Sequence, residues 1–186
     1  DAYFSELPIV ASVSRLPQRL ADAPVAVTVV DREMIKASGA RDINDIFRLV
    51  PGFQTYPNNT EAARATYHGL GDGDYSSRVQ VLIDGRSMLS PLFGSGVNWA
   101  TLPVALEDIE RIEVIRGPGA TVWGANAVNG VINIITKKAA DTQGTLLTGG
   151  GGSFERGFVG VRYGGKLNEE TPFRVYAKAF SRDPMH

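Results

Sequence analysis

Cysteine is absent from the 186 residues, and histidine occurs only at His68 and His186. Structural zinc, thiol catalysis and a disulfide scaffold need ligands or thiols that this chain lacks. Any chemistry must come from carboxylates and hydroxyls. An excess of charge is also missing: 19 Lys and Arg face 20 Asp and Glu, for a net charge of −1. Such a chain has no field with which to hold nucleic acid or an anionic membrane surface. No run approaches the roughly 18 consecutive apolar residues of a membrane-spanning helix, and the opening Asp1–Val10 lacks the basic and apolar regions of a signal peptide. An export signal is therefore expected to have been removed from this numbering. What is present is enough apolar material for a core: 50 residues are Val, Ile, Leu or Phe, above the roughly 20% floor associated with disorder. The length suggests one domain, or one and a half.

Glycine marks a change of construction. Twelve of the 21 glycines precede residue 139 and nine follow, including the run Gly149–Gly152. At the other end, residues 1–22 hold Pro8 and Pro17 and show no helical periodicity, which predicts a flexible or extended leader. In the body, Asp31 as N-cap and Gly39 as stop predict a short helix over Arg32–Ser38. Ile43, Ile46, Phe47 and Val50 form one apolar stripe of a second helix, ended by Pro51-Gly52. Strands are expected at Val25–Val30, Ala65–His68, Val79–Ile83, Ile112–Ile115 and Val131–Thr136, with Asp84-Gly85 and Asn129-Gly130 as turns. The body is thus an α/β or α+β domain. After Lys138, Thr145–Gly149, Arg156–Lys166 and Phe173–Arg182 read as antiparallel hairpins. In the middle strand Phe158, Gly160, Arg162 and Gly164 share one face, and Val159, Val161 and Tyr163 the other. That alternation fits a barrel wall or the edge hairpin of a soluble domain.

The motifs that would carry catalysis fail one by one. Arg116-Gly117-Pro118-Gly119 opens like a phosphate loop, but Val122-Trp123-Gly124 stands where Gly-Lys-Ser/Thr is needed, and Val122 replaces the third glycine of a dinucleotide fingerprint. Asp72-Gly73-Asp74 starts like a calcium loop, yet its twelfth position is Ile83. Ser95 lacks the flanking glycines of a nucleophile elbow. Glu107, Asp108, Glu110 and Glu113 read as a solvated or salt-bridged face with Arg111 and Arg116. No metal site, cofactor or catalytic constellation is implied, and the chain is not expected to be an enzyme.

The most specific stretch is Asp108-Ile-Glu-Arg-Ile-Glu-Val-Ile-Arg-Gly-Pro-Gly-Ala-Thr-Val-Trp-Gly-Ala-Asn-Ala-Val-Asn-Gly-Val-Ile-Asn-Ile-Ile-Thr-Lys137. It closely resembles the signature of the plug domain of TonB-dependent outer-membrane receptors. The resemblance continues, in the family's order, through Val79–Arg86, Tyr67-His-Gly-Leu-Gly71, Asp42–Gly52 and Pro24–Asp31. His68 is a departure, since the family commonly carries arginine there. The implied fold is α+β: a small mixed β-sheet with short helices over residues 23–138, preceded by a flexible leader over 1–22. Residues 139–186 would be antiparallel strands from the start of an outer-membrane β-barrel. A barrel of roughly 22 strands needs about 220 residues before loops, so only a truncated barrel fits. Strands freed from their barrel present open edges and are expected to be disordered or to pair with another copy.

The resemblance also implies roles. Leu7, Pro8, Ile9, Val10, Ala11 and Ser12 resemble a TonB box, gripped by the periplasmic domain of TonB through strand addition. The apical segments Thr55–Glu61 and Ser87–Trp99 would present Tyr56, Asn58, Asn59, Phe93, Ser95, Asn98 and Trp99 to a small-molecule ligand, a metal chelate such as a ferric siderophore, haem or cobalamin. The alternative for Phe93 and Trp99 is that they cover the sheet. Arg116, with Arg78 and Arg111 as weaker candidates, would pair with acids of the protein's own barrel wall. The implied location is the bacterial outer membrane, the plug in the barrel lumen and the N-terminus facing the periplasm. The competing reading is a soluble periplasmic ligand-binding or adaptor domain with a plug-like fold.

Overall fold

The computed structural model describes residues 9–10, 18–19, 25–58, 61–67, 79–90, 97, 99, 102–117, 120–124, 127–153 and 155–183. The chain divides into two units, one of residues 1–56 and 63–136, the other of 57–62 and 137–186. Two short strands open the first unit: β1 (Ile9–Val10) and β2 (Gln18–Arg19) pair antiparallel, and Val10 is fully buried.

The body of that unit is a five-stranded sheet ordered β3 (Ala26–Asp31), β8 (Ile109–Arg116), β9 (Gly130–Thr136), β6 (Val79–Ile83) and β7 (Arg86–Ser87). β6 and β9 run parallel and every other pair is antiparallel, so the sheet is mixed. Between β3 and β6 lie β4 (Phe53–Asn58) and β5 (Glu61–Tyr67), which form a separate two-stranded sheet.

Two short helices cover one face of the five-stranded sheet. Helix α1 (Arg32–Ala37) starts at Asp31, whose Oδ1 accepts the amide of Met34 at 2.8 Å, and ends before Gly39 at φ 65°. A side-chain acceptor at the N-cap and a left-handed glycine beyond the C-terminus are the two ordinary stops of a helix. Helix α2 (Ile43–Ile46) opens on Asp45 Oδ2, which accepts the amides of Arg41 and Asp42, and tightens into a 3-10 turn over Phe47–Leu49. The expected stripe is the buried one: Ile43, Ile46, Phe47 and Val50 pack with Val30, Val81, Ile112, Val114, Ile132 and Ile134. A smaller cluster of Leu82, Ile115, Ala127 and Val131 with Val25, Val27 and Trp123 covers the opposite face. Being buried on both sides, central β9 is nearly continuously apolar.

Two turn signals resolve differently. Asp84 (φ 49°) and Gly85 (φ 80°) make the two-residue connection between β6 and β7 that their positive φ values favour. Asn129-Gly130 is not a hairpin turn: Gly130 is the first residue of β9, and a Cβ on it would stand 2.5 Å from the Ile115 carbonyl oxygen. Glycine is needed there for close approach of backbones.

In the second unit, β10 (Gly144–Gly150), β11 (Glu155–Lys166) and β12 (Pro172–Arg182) form an antiparallel three-stranded sheet, with a bulge between Glu155 and Gly157. The strands are regular and pair with one another, and the outer edges of β10 and β12 have no strand partner among the described residues. Leu147, Val159, Val161, Tyr163 and Val175 share one exposed face with no charged residue in the strand interiors, whereas Arg162, Arg174, Lys178 and Arg182 lie on the other. Gly164 has no room for a side chain, because a Cβ would collide with the Thr142 carbonyl oxygen.

Candidate functional site

The centre of the five-stranded sheet carries polar groups on the face away from α1 and α2. On β8, Glu113 is completely buried, and its Oε1 accepts the Nε–H of Arg111 at 2.9 Å. These residues are two apart on one strand, so their side chains leave the same face. The acids of this segment are therefore not a solvated face as a group: Asp108 is 1% exposed and Glu113 not at all. Burial of a carboxylate is tolerable only when it is paired and hydrogen-bonded. On neighbouring strands Gln80 donates through Nε2 to Ser87 Oγ at 2.8 Å, and Asn133 Oδ1 accepts the amide of Gly85 at 3.2 Å. Together with Leu82, Arg111 and Trp123 these residues line a cleft of about 580 Å³.

The Asp84-Gly85 turn is pinned from the same strand. Asp84 Oδ1 accepts the amide of Thr136 and Oδ2 its hydroxyl, both at 2.8 Å, while the Asp84 amide donates to the Ile134 carbonyl at 2.9 Å. The Leu-Ile-Asp-Gly-Arg and Val-Ile-Asn-Ile-Ile-Thr segments are thus two halves of one lock, 48 to 52 residues apart in the chain. Sequence reasoning found each segment but not their connection. A signal was available: Asn133 and Thr136 are the polar interruptions of an otherwise apolar strand.

The residues singled out from sequence are described only in part. Of the TonB-box-like segment, Ile9 and Val10 are in β1, and Leu7, Pro8, Ala11 and Ser12 lie outside the described residues. Thr55–Glu61 is largely strand rather than loop: Tyr56 and Asn58 belong to β4, and Tyr56 is half-buried. An extended Phe-Gln-Thr-Tyr run with aromatic and β-branched members suits a strand, which the loop expectation overlooked. Trp99 packs edge-on against Phe47, with ring centroids 5.1 Å apart, and so covers the core. Asn59, Phe93, Ser95, Asn98 and Arg78 lie outside the described residues. Arg111 is engaged by Glu113. Arg116, at the end of β8, has a buried Nε without a hydrogen-bond partner among the described residues.

An internally locked α+β sheet, followed along the chain by strands with one uncharged and one basic face, defines a domain class that pairs a plug with barrel-type strands. The chain belongs to the TonB-dependent receptor plug domain family, whose model matches residues 19–131. It is 31% identical to a vitamin B12 transporter, BtuB, of Vibrio vulnificus, over 78% of this chain and 23% of that protein. It is 30% identical to an iron-regulated outer membrane virulence protein of Vibrio cholerae, over 98% of this chain and 29% of that one. Among solved structures, the siderophore receptor PirA of Pseudomonas aeruginosa is 28% identical with a TM-score of 0.58, over 84% of this chain and 29% of PirA. The chain therefore spans about a quarter of the length of the curated relatives it matches. Two of these relatives are named as a transporter and a receptor, and none as an enzyme.

Proposed function

We propose that this chain is the plug, with the first barrel strands, of an outer-membrane active transporter that takes up a metal chelate and draws energy from TonB. The observation that carries the reading is the join, in one chain, of a family plug sheet to strands whose faces differ in charge. Such strands suit a wall with lipid outside and a polar lumen inside. In that setting the plug closes the lumen to small solutes and lends part of the ligand surface. Arg116 is the main candidate for an ionic contact with the barrel wall, because its buried Nε has no hydrogen-bond partner among the described residues. Arg111 is the weaker one, being already held by Glu113.

TonB would engage Leu7–Ser12 by strand addition. β1 already pairs with β2 along one edge, and among the described residues no strand pairs with its second edge. Main-chain hydrogen bonds would supply affinity and alternate side chains specificity. Ligand capture outside would change the exposure of this segment, and a proton-motive-force-driven pull would then open a path. The test is a calorimetric titration of the chain with the periplasmic C-terminal domain of TonB, beside an Ile9→Pro variant that loses a backbone donor. Saturable binding lost in the variant is expected; equal binding by both would remove the TonB box from this segment.

A further inference from the structure

The cleft on the sheet face away from α1 and α2 holds polar groups that do not all satisfy one another. Alternate residues of three neighbouring strands form it, Gln80 of β6, Asn133 and Ile135 of β9 and Arg111 of β8, with Trp123 beside them. Its volume of about 580 Å³ falls within the range of sites that hold small molecules. Gln80 and Asn133 are 5% and 6% exposed, so their amides are fixed groups of the cleft rather than solvated surface. Gln80 spends its Nε2 on Ser87, and its Oε1 has no hydrogen-bond partner among the described residues. Arg111 spends its Nε on Glu113, and its Nη1 and Nη2 likewise have no partner among the described residues. One cavity therefore offers an unused acceptor, unused donors and an indole.

Charge decides which guest fits. Arg111 is offset by Glu113, while the oxygens of Asp84, which also lines the cleft, accept from the neutral amide and hydroxyl of Thr136. A carboxylate charge is thus left without a cation among the described residues. An anion would meet that carboxylate, and a cation would leave the Arg111 donors facing another donor. A neutral polyhydroxylated ring meets neither obstacle. Its hydroxyls donate to Gln80 Oε1 and Asp84 and accept from Arg111 Nη1 and Nη2, while its C–H face covers the Trp123 indole and Ile135. We propose that this cleft is a binding site for a short neutral saccharide. The assignment stands on the cleft alone and does not depend on the transport reading above.

The probes are methyl glucoside, glucuronate and glucosamine, the same ring without charge, with a negative charge and with a positive one, each added to the isotope-labelled full chain in zwitterionic detergent. Methyl glucoside should shift the side-chain amide signals of Gln80 and Asn133 and the indole N–H of Trp123 saturably, and leave Gly160 and Val161 of β11 unmoved. Glucuronate and glucosamine should each need about tenfold more for half effect, the consequence of an unmatched charge. Arg111→Lys keeps a cation beside Glu113 but loses the planar fork, and should weaken the glucoside about tenfold. Gln80→Met keeps the length and loses the acceptor, and should weaken it about fivefold. The comparison of the three probes needs no substitution, so it decides the matter whether or not a variant folds. No saturable shift with the glucoside, an equal response to all three probes, or undiminished binding by both folded variants would overturn the proposal.

Discussion

The two sheets treat apolar residues in opposite ways. In β9 five successive residues, Gly130–Ile134, are buried, while in β12 seven successive residues, Val175–Ser181, are exposed. β9 is covered by Ile46 and Phe47 on one side and by Trp123 and Ala127 on the other. The sheet β10–β12 leaves Leu147 72% and Val159 58% exposed. Strand content is therefore no guide to where stability comes from. One sheet gains it by removing apolar surface from water; the other has a regular backbone and an uncharged face that water does not reward.

The sharpest way to widen that contrast is Phe47→Ala, which empties the centre of the plug core. It should cost about 3–5 kcal/mol, read as a lower urea midpoint of the first unit; a loss below about 1 kcal/mol would mean that the core is not organised around Phe47. Next comes Glu113→Ala, which leaves Arg111 without its partner inside the sheet. About 2–3 kcal/mol is expected, since Arg111 is partly exposed and can reach water, and the double change Arg111→Met with Glu113→Leu should recover most of it. No recovery would show that Glu113 is held by something other than the ion pair. Asp84→Ala removes both acceptors of Thr136 and places alanine at φ 49°. A cost of about 1–2 kcal/mol is expected, with Asp84→Gly milder because glycine accepts that φ; equal costs would assign the whole effect to hydrogen bonds. The smallest effect belongs to the second unit. Leu147→Ser should change stability in water by no more than about 0.5 kcal/mol, measured by hydrogen exchange of β10 and β11. A larger loss would mean that the exposed face is covered in solution and would erase the difference between the sheets.

Much of the fold was legible from local pattern. The stripe Ile43, Ile46, Phe47 and Val50 identified its own buried face, Asp31 and Gly39 marked the ends of α1, and strict alternation placed Val159 and Arg162 on opposite sides of β11. These are properties of neighbouring residues, so a linear reading reaches them. β4 was overlooked because Tyr56-Pro57-Asn58 carries turn-favouring residues, although the run before them suits a strand and β4 pairs with β5, the next strand in the chain. The candidate site was less legible still. Glu113 and Asp108 sit among exposed-looking charges, and only the strands packed beside them show that they are buried.

Sequence by itself determined the composition limits, the helix caps, the periods of the strands and the family signature, since each depends on residue type and spacing along a few turns of chain. Tertiary structure alone decided that β9 lies between antiparallel β8 and parallel β6, that Asp84 closes on Thr136, and that Arg111 is engaged by Glu113 while Arg116 Nε is buried without a hydrogen-bond partner among the described residues. Those outcomes depend on which surfaces exclude water together, and a polar side chain changes its meaning when the layer above it is supplied by residues fifty positions away.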